Sequence, residues 1–287
     1  MKSFWARRLS ILLFCCALSA CTVKTSYRFL DWIIAWQVDD YITLTRSQQV
    51  VFDQQLAELW SWHKATQLVL YRDWLVDGKV LFQQPLKFDQ LNRWLNQAGQ
   101  FWPQLMAQLT HASAQVLVSL SDQQVAVMMA ELGVTLADDR DEYRQLNQRQ
   151  SENYQRSKER QSDKIGKHFR RWLGDLSVEQ RQWINDWVEM RIDTQGLWLD
   201  SRQQWLNDFE RVLAARHQAD FSIALADLFM STEQRRSGQY QAAIDQNTES
   251  ALHLIIKLQA SLSDRQKRHF NREIDYWIKT LGELAGE

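Results

Sequence analysis

The side chains that usually carry catalysis are present in this sequence, but they do not form the spacings that catalysis needs. The chain lacks the zinc motif H-E-x-x-H, the nucleophile motif G-x-S-x-G and the redox motif C-x-x-C. No two histidines are spaced as metal ligands; they occupy positions 63, 111, 168, 217, 253 and 269. Asp31, Asp39 and Asp40 could in principle meet as paired carboxylates, but solvated or Arg-paired positions on an amphipathic helix are the favoured interpretation. The sequence predicts no enzyme, no cofactor and no metal site, with a hydrolase site assembled only by the fold as an open alternative.

Cys21 is the residue whose surroundings indicate the most specific chemistry. Three basic residues precede a short apolar run at 9–17, which is too short to span a bilayer. The run leads into Leu18-Ser19-Ala20-Cys21, which matches the bacterial lipobox. In that pattern the small residues admit the signal peptidase, and the cysteine thiol carries a diacylglycerol. We predict that residues 1–20 are a lipoprotein signal peptide and that Cys21 is the acylated, palmitate-type lipid attachment site; an ordinary signal peptide with a chance cysteine is the alternative.

The residues around Cys21 also predict where the protein resides. Thr22 replaces the aspartate that usually retains lipoproteins in the inner membrane, which favours the periplasmic face of the outer membrane of a Gram-negative bacterium. The acyl chains would supply the membrane contact. Removal of residues 1–20 takes away three basic and no acidic residues, leaving 31 against 35 and a charge of −4. Export from the cytoplasm makes nucleic acid a poor partner.

The composition predicts an all-α protein. Gly and Pro together number 11 in 287 residues, about a third of average usage. Sandwiches, barrels and doubly wound sheets need many more tight turns than this. The chain is 45% hydrophobic and includes 14 Trp, so it can bury a core without disulfides. We predict a multi-helix bundle or an elongated helical array.

A five-residue pattern, L-[ST]-x-x-Q, occurs four times, more often than composition alone would give. Its members are Leu44, Thr45 and Gln48; Leu120, Ser121 and Gln124; Leu176, Ser177 and Gln180; and Leu262, Ser263 and Gln266. Ser or Thr followed by Gln three residues later is a capping box that begins a helix. The positions 8, 12 and 16 residues after each Leu are apolar in all four copies, which is the spacing of one helix face. The motif therefore predicts four helix starts, and duplication of an ancestral helical unit is compatible with it.

The leading Leu of each motif needs a further explanation. A hydrophobic staple would pair it with an apolar residue at the fourth helical position, but three of the four copies have Gln49, Arg181 or Lys267 there. We therefore expect the Leu to pack on another helix.

One segment differs in charge from the rest of the chain. Between residues 143 and 171 there are nine basic and three acidic residues, and Tyr154 is the only large apolar residue from 147 to 164. We predict one long polar helix near 138–172 that connects a first helical half at 21–137 with a second at 173–287; a frayed linker is the alternative. Its candidate binding surface consists of Arg156, Lys158, Arg160, Lys164 and Lys167. Lipid phosphates or acidic client chains would suit that surface, and a merely solvated helix face would explain it equally well.

Two resemblances accompany these motifs. The L-[ST]-x-x-Q copies are similar to the L-T-x-x-Q repeats of Spy-type periplasmic chaperones, which are all-helical and hold unfolded clients on a concave basic surface. The segment from Leu30 to Tyr41, LDWIIAWQVDDY, resembles the start of an uncharacterised family of proteobacterial lipoproteins, in which a lipobox precedes L-D-W-x-x-x-W-x-x-D-x-Y. The first resemblance implies client binding, and the second supports a lipid-anchored helical protein.

Together these observations predict a lipoprotein that acts by binding, in a chaperone-like or envelope-maintenance role. Unfolded proteins, anionic lipids or an envelope protein are the expected partners. A structural scaffold in an envelope complex is the main alternative.

Overall fold

The computed structural model of the chain describes Tyr27, residues 29–152 and residues 154–286. Every regular element in this part of the chain is a helix, so the predicted all-α class is confirmed. Cys21 and the predicted signal peptide lie outside the described residues.

The described residues contain twelve α-helices and one π-helical turn. In chain order they are α1 (Leu30–Asp39), α2 (Arg46–Trp62), the π-helical turn (His63–Gln67), α3 (Leu68–Phe82), α4 (Phe88–Gly99), α5 (Phe101–Val118), α6 (Asp122–Glu152), α7 (Tyr154–Leu173), α8 (Val178–Met190), α9 (Gln195–Ala214), α10 (Phe221–Met230), α11 (Gly238–Ala260) and α12 (Asp264–Ala285).

The predicted helix boundaries differ from the structure in the middle of the chain. The sequence predicted that the long polar helix begins near residue 138, whereas α6 begins at the second motif and continues from Asp122 to Glu152. The apolar stripe explains this, because buried Leu136 follows half-buried Leu132 at one-turn spacing and carries the helix past Gly133. The basic stretch is helical on both sides of residue 153, in α6 and in α7.

Helices from both predicted halves share the core. Helix α3 packs along α12, α5 packs against α10, and α6 packs against α9. The largest cluster of buried apolar residues joins α5, α6, α9 and α10 around Leu213 and Leu225, neither of which has any exposed surface. A second cluster around Ile184 and Val188 joins α7, α8 and α11. Packing between sequence-distant helices therefore determines how the chain is arranged.

A pair of stacked tryptophans joins α3 to α4. The rings of Trp74 and Trp94 are parallel, with centroids 4.1 Å apart. Each indole N–H donates a hydrogen bond to the backbone carbonyl of the other residue, at 2.8 and 2.9 Å. Gly78 makes this approach possible, since a Cβ there would lie 2.4 Å from Cζ2 of Trp94. Gly78 has ordinary helical backbone angles, so a glycine is needed here for space and not for its backbone conformation.

Candidate binding site

The four repeated motifs begin helices α2, α6, α8 and α12. At each start the Ser or Thr hydroxyl accepts a hydrogen bond from the backbone N–H of the motif Gln, and the Gln side chain accepts one from the backbone N–H of the Ser or Thr. These are the two hydrogen bonds of a capping box, and they satisfy donors that a helix start leaves free. The helix starts are thus fixed by local hydrogen bonding.

The structure also brings the motifs together in pairs. The side-chain amides of Gln48 and Gln124 face each other, and each Nε2 donates to the other's Oε1, at 3.0 and 2.8 Å. The second hydrogen of each amide goes to a backbone carbonyl just before the opposite motif. Gln48 donates to Ser119 at 2.7 Å, and Gln124 donates to Thr43 at 2.9 Å. The two motifs are therefore related by an approximate two-fold exchange of hydrogen bonds.

The third and fourth motifs form an equivalent pair. Gln180 and Gln266 exchange amide hydrogen bonds at 3.3 and 2.8 Å. Gln266 also donates to the carbonyl of Asp175 at 2.9 Å, and Gln180 donates to the hydroxyl of Ser261 at 2.9 Å. Both Gln side chains are buried. Two motif pairs thus join α2 to α6 and α8 to α12.

This pairing explains why position five of the motif is Gln. A capping box accepts Glu or Gln, but only an amide can donate and accept at once, so two facing amides satisfy each other. Two facing carboxylates would repel. The pairing was not predicted from the sequence, although Gln rather than Glu at this position in all four copies indicates it.

The apolar positions of the repeat lie inside the structure. Leu120 and Leu176 are buried, while Leu44 and Leu262 are half-buried against the same clusters. The twelve apolar positions that follow the motifs are all buried or half-buried; they are Phe52, Leu56, Trp60, Met128, Leu132, Leu136, Ile184, Val188, Ile192, Phe270, Ile274 and Ile278. In the described structure the residues of the repeat therefore pack the helices together. We look for a binding site among other residues.

A cleft of about 820 Å³ lies beside the basic segment, and we call it the α6–α7 cleft. Its walls come from the C-terminal half of α6, the middle of α7 and the chain around the α8–α9 connection. The lining residues are Asp139, Glu142, Tyr143, Leu146, Asn147, Lys158, Arg160, Gln161, Lys164, Ile165, His168, Val188, Arg191, Asp193, Gln195 and Trp198. On both helices these positions recur at intervals of three or four, so one face of each helix borders the cleft.

Hydrogen bonds hold the α8–α9 connection in place against α6. Helix α8 ends where Arg191 becomes extended, and Asn247 of α11 bonds both the N–H and the C=O of Ile192 at 2.9 Å. The hydroxyl of Tyr143 donates to the Asp193 carboxylate at 3.0 Å. Gly196 lets α9 approach, since a Cβ there would lie 3.3 Å from the Tyr143 ring. The wall of the cleft opposite the long helices is therefore a braced turn.

The cleft combines charge with accessible apolar surface. Cations come from α7 and from Arg191, while the carboxylates of Asp139, Glu142 and Asp193 come from α6 and the connection. Leu146 and Trp198 both line the cleft and expose 45% and 37% of their surface. Such a surface suits a ligand that carries both acidic and apolar groups.

The structure places the predicted basic residues differently from one another. Lys158, Arg160 and Lys164 line the cleft, and the Lys158 ammonium donates to the carbonyl of Val188 at 3.4 Å. Lys167 is exposed on α7 but does not line the cleft. Arg156 belongs to α7, and its side chain lies outside the described residues. Arg191 adds a further cation and His168 also lines this side. Sequence reasoning missed Arg191 because it belongs to a distant part of the chain.

A second, apolar cavity of about 240 Å³ lies among α3, α4, α7, α11 and α12. Its walls are mainly aromatic and include Trp74, Phe82, Trp94, Trp172 and Phe270. Gln259 is the one amide side chain in this wall. Its Nε2 donates hydrogen bonds to the backbone carbonyls of Phe82 and Gln84, at 3.1 and 2.9 Å. The cavity thus offers no free polar group for orienting a ligand.

An aromatic cluster holds the first described residue of the chain. Buried Tyr27 stacks on Trp60 at 4.6 Å, and Trp60 stacks on His63 at 5.6 Å. Burial and the neighbouring Tyr71 raise the pKa of Tyr27 to about 12, and burial lowers the pKa of His63. Both groups are therefore neutral near pH 7, and the Tyr27 hydroxyl shares a hydrogen bond of 2.9 Å with Nδ1 of His63. His63 is thus a packed and hydrogen-bonded histidine.

Among the described residues no group of three or more His, Cys, Asp or Glu is arranged to hold a metal ion. Asp31, Asp39 and Asp40 are all exposed, and Asp31 accepts a hydrogen bond from the backbone N–H of Trp32 at 2.8 Å.

The repeat, the cleft and the helix order can be set beside known proteins. Residues 40–241 match the model of a family of unknown function, DUF6279, which covers well over half of the chain. The chain belongs to DUF6279. No curated protein and no solved structure matches it. The matched range contains three of the four motifs and the whole α6–α7 cleft, while most of the Leu30–Tyr41 segment precedes it. In the part of the chain that the structure describes, no helix is long and apolar enough to cross a membrane.

Proposed function

We propose that this DUF6279 protein is an outer-membrane lipoprotein, anchored through Cys21, that binds segments of unfolded polypeptide in the α6–α7 cleft on the periplasmic side. The observation that carries the proposal is the cleft itself, where exposed Leu146 and Trp198 border a cationic wall. The lipobox around Cys21 supports the anchor, and the resemblance of the repeats to those of Spy-type chaperones supports a client-binding role.

The charges of the cleft favour an acidic client segment. Arg160 and Lys164 are exposed on α7. The mature protein as a whole has a predicted charge of −4. Local positive charge on an acidic protein attracts acidic partners, and this attraction is screened over about 10 Å at 0.1 M salt. Burial of apolar client side chains against Leu146 and Trp198 adds a contribution that salt does not screen. Client binding should therefore weaken with salt without disappearing.

The size of the cleft suits a short segment better than a folded partner. Ligand sites are typically about 300–1,000 Å³, and the cleft volume of about 820 Å³ lies in this range. A scaffold that docks a folded protein would need a broader surface, of about 800 Å² on each partner.

The test compares two variants that lose the same charge, one inside the cleft and one outside it. Arg160→Gln with Lys164→Gln removes two cations from the cleft, while Arg149→Gln with Lys167→Gln removes two exposed cations that do not line it. We expect the cleft variant to lose about tenfold in suppressing aggregation of an acidic unfolded test protein, and the control variant to match the parent. Both variants should keep the parent's melting temperature within a few degrees, because exposed charges contribute little to stability.

Two results would contradict the proposal. Equal suppression by the cleft variant and the control would remove the cleft from client binding. Loss of binding to anionic vesicles by the cleft variant, without any change in client aggregation, would assign the cations to lipid phosphates.

A further inference from the structure

Helix α1 is apolar, yet the described protein does not bury it. None of its ten residues is buried, although its sequence is LDWIIAWQVD. Phe29 exposes 56% of its surface, Trp32 exposes 65% and Trp36 exposes 38%. Helix α1 has few contacts, mainly with α2. This segment carries the L-D-W-x-x-x-W-x-x-D-x-Y pattern, and the proposed client cleft makes no use of it.

The apolar residues of α1 divide between two faces. Half-buried Val38, together with Tyr41 just beyond the helix, packs on the core cluster that includes Ile42. Phe29, Trp32 and Trp36 follow one another at intervals of three and four, so they project from a common face. Over that interval the helix rises about 10 Å, which gives a compact aromatic patch. A patch of two Trp and one Phe on a short helix is typical of an interface between water and lipid headgroups.

The position of α1 in the chain indicates what lies against this patch. Tyr27 is fixed in the aromatic cluster, with its ring stacked on Trp60 and its hydroxyl bonded to His63. Tyr27 lies six positions after Cys21, and six residue steps reach at most about 20–22 Å even when fully extended. An acyl anchor at Cys21 would therefore hold Phe29 and α1 within a short distance of the bilayer surface.

We propose that the Phe29–Trp32–Trp36 face of α1 lies in the lipid headgroup region of the membrane and sets the orientation of the protein on it. The proposal rests on the anchor at Cys21 that forms part of the proposed function. Asp31, Asp39 and Asp40 are exposed near this face, so it suits a zwitterionic surface better than an anionic one. Its contact should therefore resist salt, in contrast to binding through the cations of the α6–α7 cleft.

The main experiment places a polarity-sensitive fluorophore on full-length mature protein in phosphatidylcholine vesicles. Acylation blocks the thiol of Cys21, the only cysteine after residue 20, so an introduced cysteine takes the label alone. We expect a label at Ile33→Cys, between the aromatic residues, to shift to the blue and to be quenched by spin-labelled lipid. A label at Glu249→Cys, exposed on α11, should respond to neither. Equal responses at both positions would overturn the proposal.

A second measurement separates failure of the anchor from failure of the α1 contact. Intact mass shows whether Cys21 carries diacylglycerol, and the Cys21→Ser protein then reports the contribution of α1 alone. In that background we expect Trp32→Gln with Trp36→Gln to reduce partition into zwitterionic vesicles at least about fivefold, because partition follows the apolar area buried. Trp102→Gln, at a tryptophan of similar exposure on α5, should leave partition unchanged. Unchanged partition of the double variant would contradict a lipid-facing role. So would a parent protein that is a dimer in solution while the double variant is a monomer.

Discussion

Each glutamine of the motif serves two purposes at once. The Gln180 carbonyl accepts from its own helix start, at the backbone N–H of Ser177, while the amide hydrogens reach Gln266 and Ser261. In the Gln180–Gln266 pair each amide N–H donates to the carbonyl oxygen of the other side chain. Removing either side chain therefore leaves a buried N–H of the other without its acceptor. Buried polar groups left in that state are costly, by about 1–3 kcal/mol.

This arrangement predicts a non-additive pair of substitutions. Gln180→Ala and Gln266→Ala should each lower the free energy of unfolding by about 1–3 kcal/mol, and the double variant should lose clearly less than the sum, since the second substitution removes a side chain already deprived of its partner. Gln182→Ala, at an exposed glutamine of α8, is the control and should change stability by less than about 0.5 kcal/mol. Denaturant unfolding measures all four proteins, and strictly additive losses would contradict the pairing.

The aromatic cluster around Tyr27 predicts a pH dependence. Burial lowers the pKa of His63 in the folded protein, so below its ordinary value of about 6.5 the unfolded chain binds more protons at this site than the folded one. The contribution of His63 is complete above that pH and is lost as the pH falls from there toward the folded pKa. Unfolding of the parent and of His63→Phe, compared from pH 7.5 to 5.5, should show the steeper decline in the parent. Parallel declines would mean that His63 titrates alike in both states.

At the scale of helices, the approach of α3 to α4 depends on one glycine. Gly78→Ala places a Cβ 2.4 Å from the Trp94 ring, which must move or break its reciprocal hydrogen bonds with Trp74. We expect a loss of about 1–3 kcal/mol, the usual range for overpacking. Gly133→Ala, at an exposed glycine within α6 that has no neighbouring atom within 4 Å, should instead stabilise by about 0.5–1 kcal/mol. Thermal melts decide between the two signs, and stabilisation by both substitutions would contradict the packing.

The local parts of this fold could be predicted from the sequence. Capping boxes and apolar stripes follow rules that span one or two helical turns, so the four motif starts and the buried faces behind them were accessible. The pairing of the motifs was not, because 76 and 86 residues separate the paired glutamines and no local rule states which copies meet. The cleft could not be predicted either, because its walls come from parts of the chain that are distant in sequence. Its far wall is a turn that Asn247 holds from 55 residues away.

At the scale of the whole molecule, function is proposed where the repeat is absent. The four motifs and their stripes are used in the described structure for joining and packing helices. The α6–α7 cleft lies where the polar middle of the long helical stretch borders the α8–α9 connection, and Leu146 and Trp198 remain accessible there. The cleft thus lies outside the two motif pairs, although Val188 from the apolar stripe of one motif borders it.

Site-specific photo-crosslinking tests the client-binding role of the cleft most directly. A photoreactive amino acid replaces Leu146 in the cleft or, as the control, Val134, which lies on the same helix outside the cleft and is more exposed, at 56% against 45%. The protein is irradiated with an acidic unfolded test polypeptide and, separately, with the same polypeptide folded. We predict strong crosslinking from position 146 to the unfolded polypeptide only, and little from position 134. Crosslinking in proportion to exposure, with position 134 equal to or above position 146, would contradict binding in the cleft.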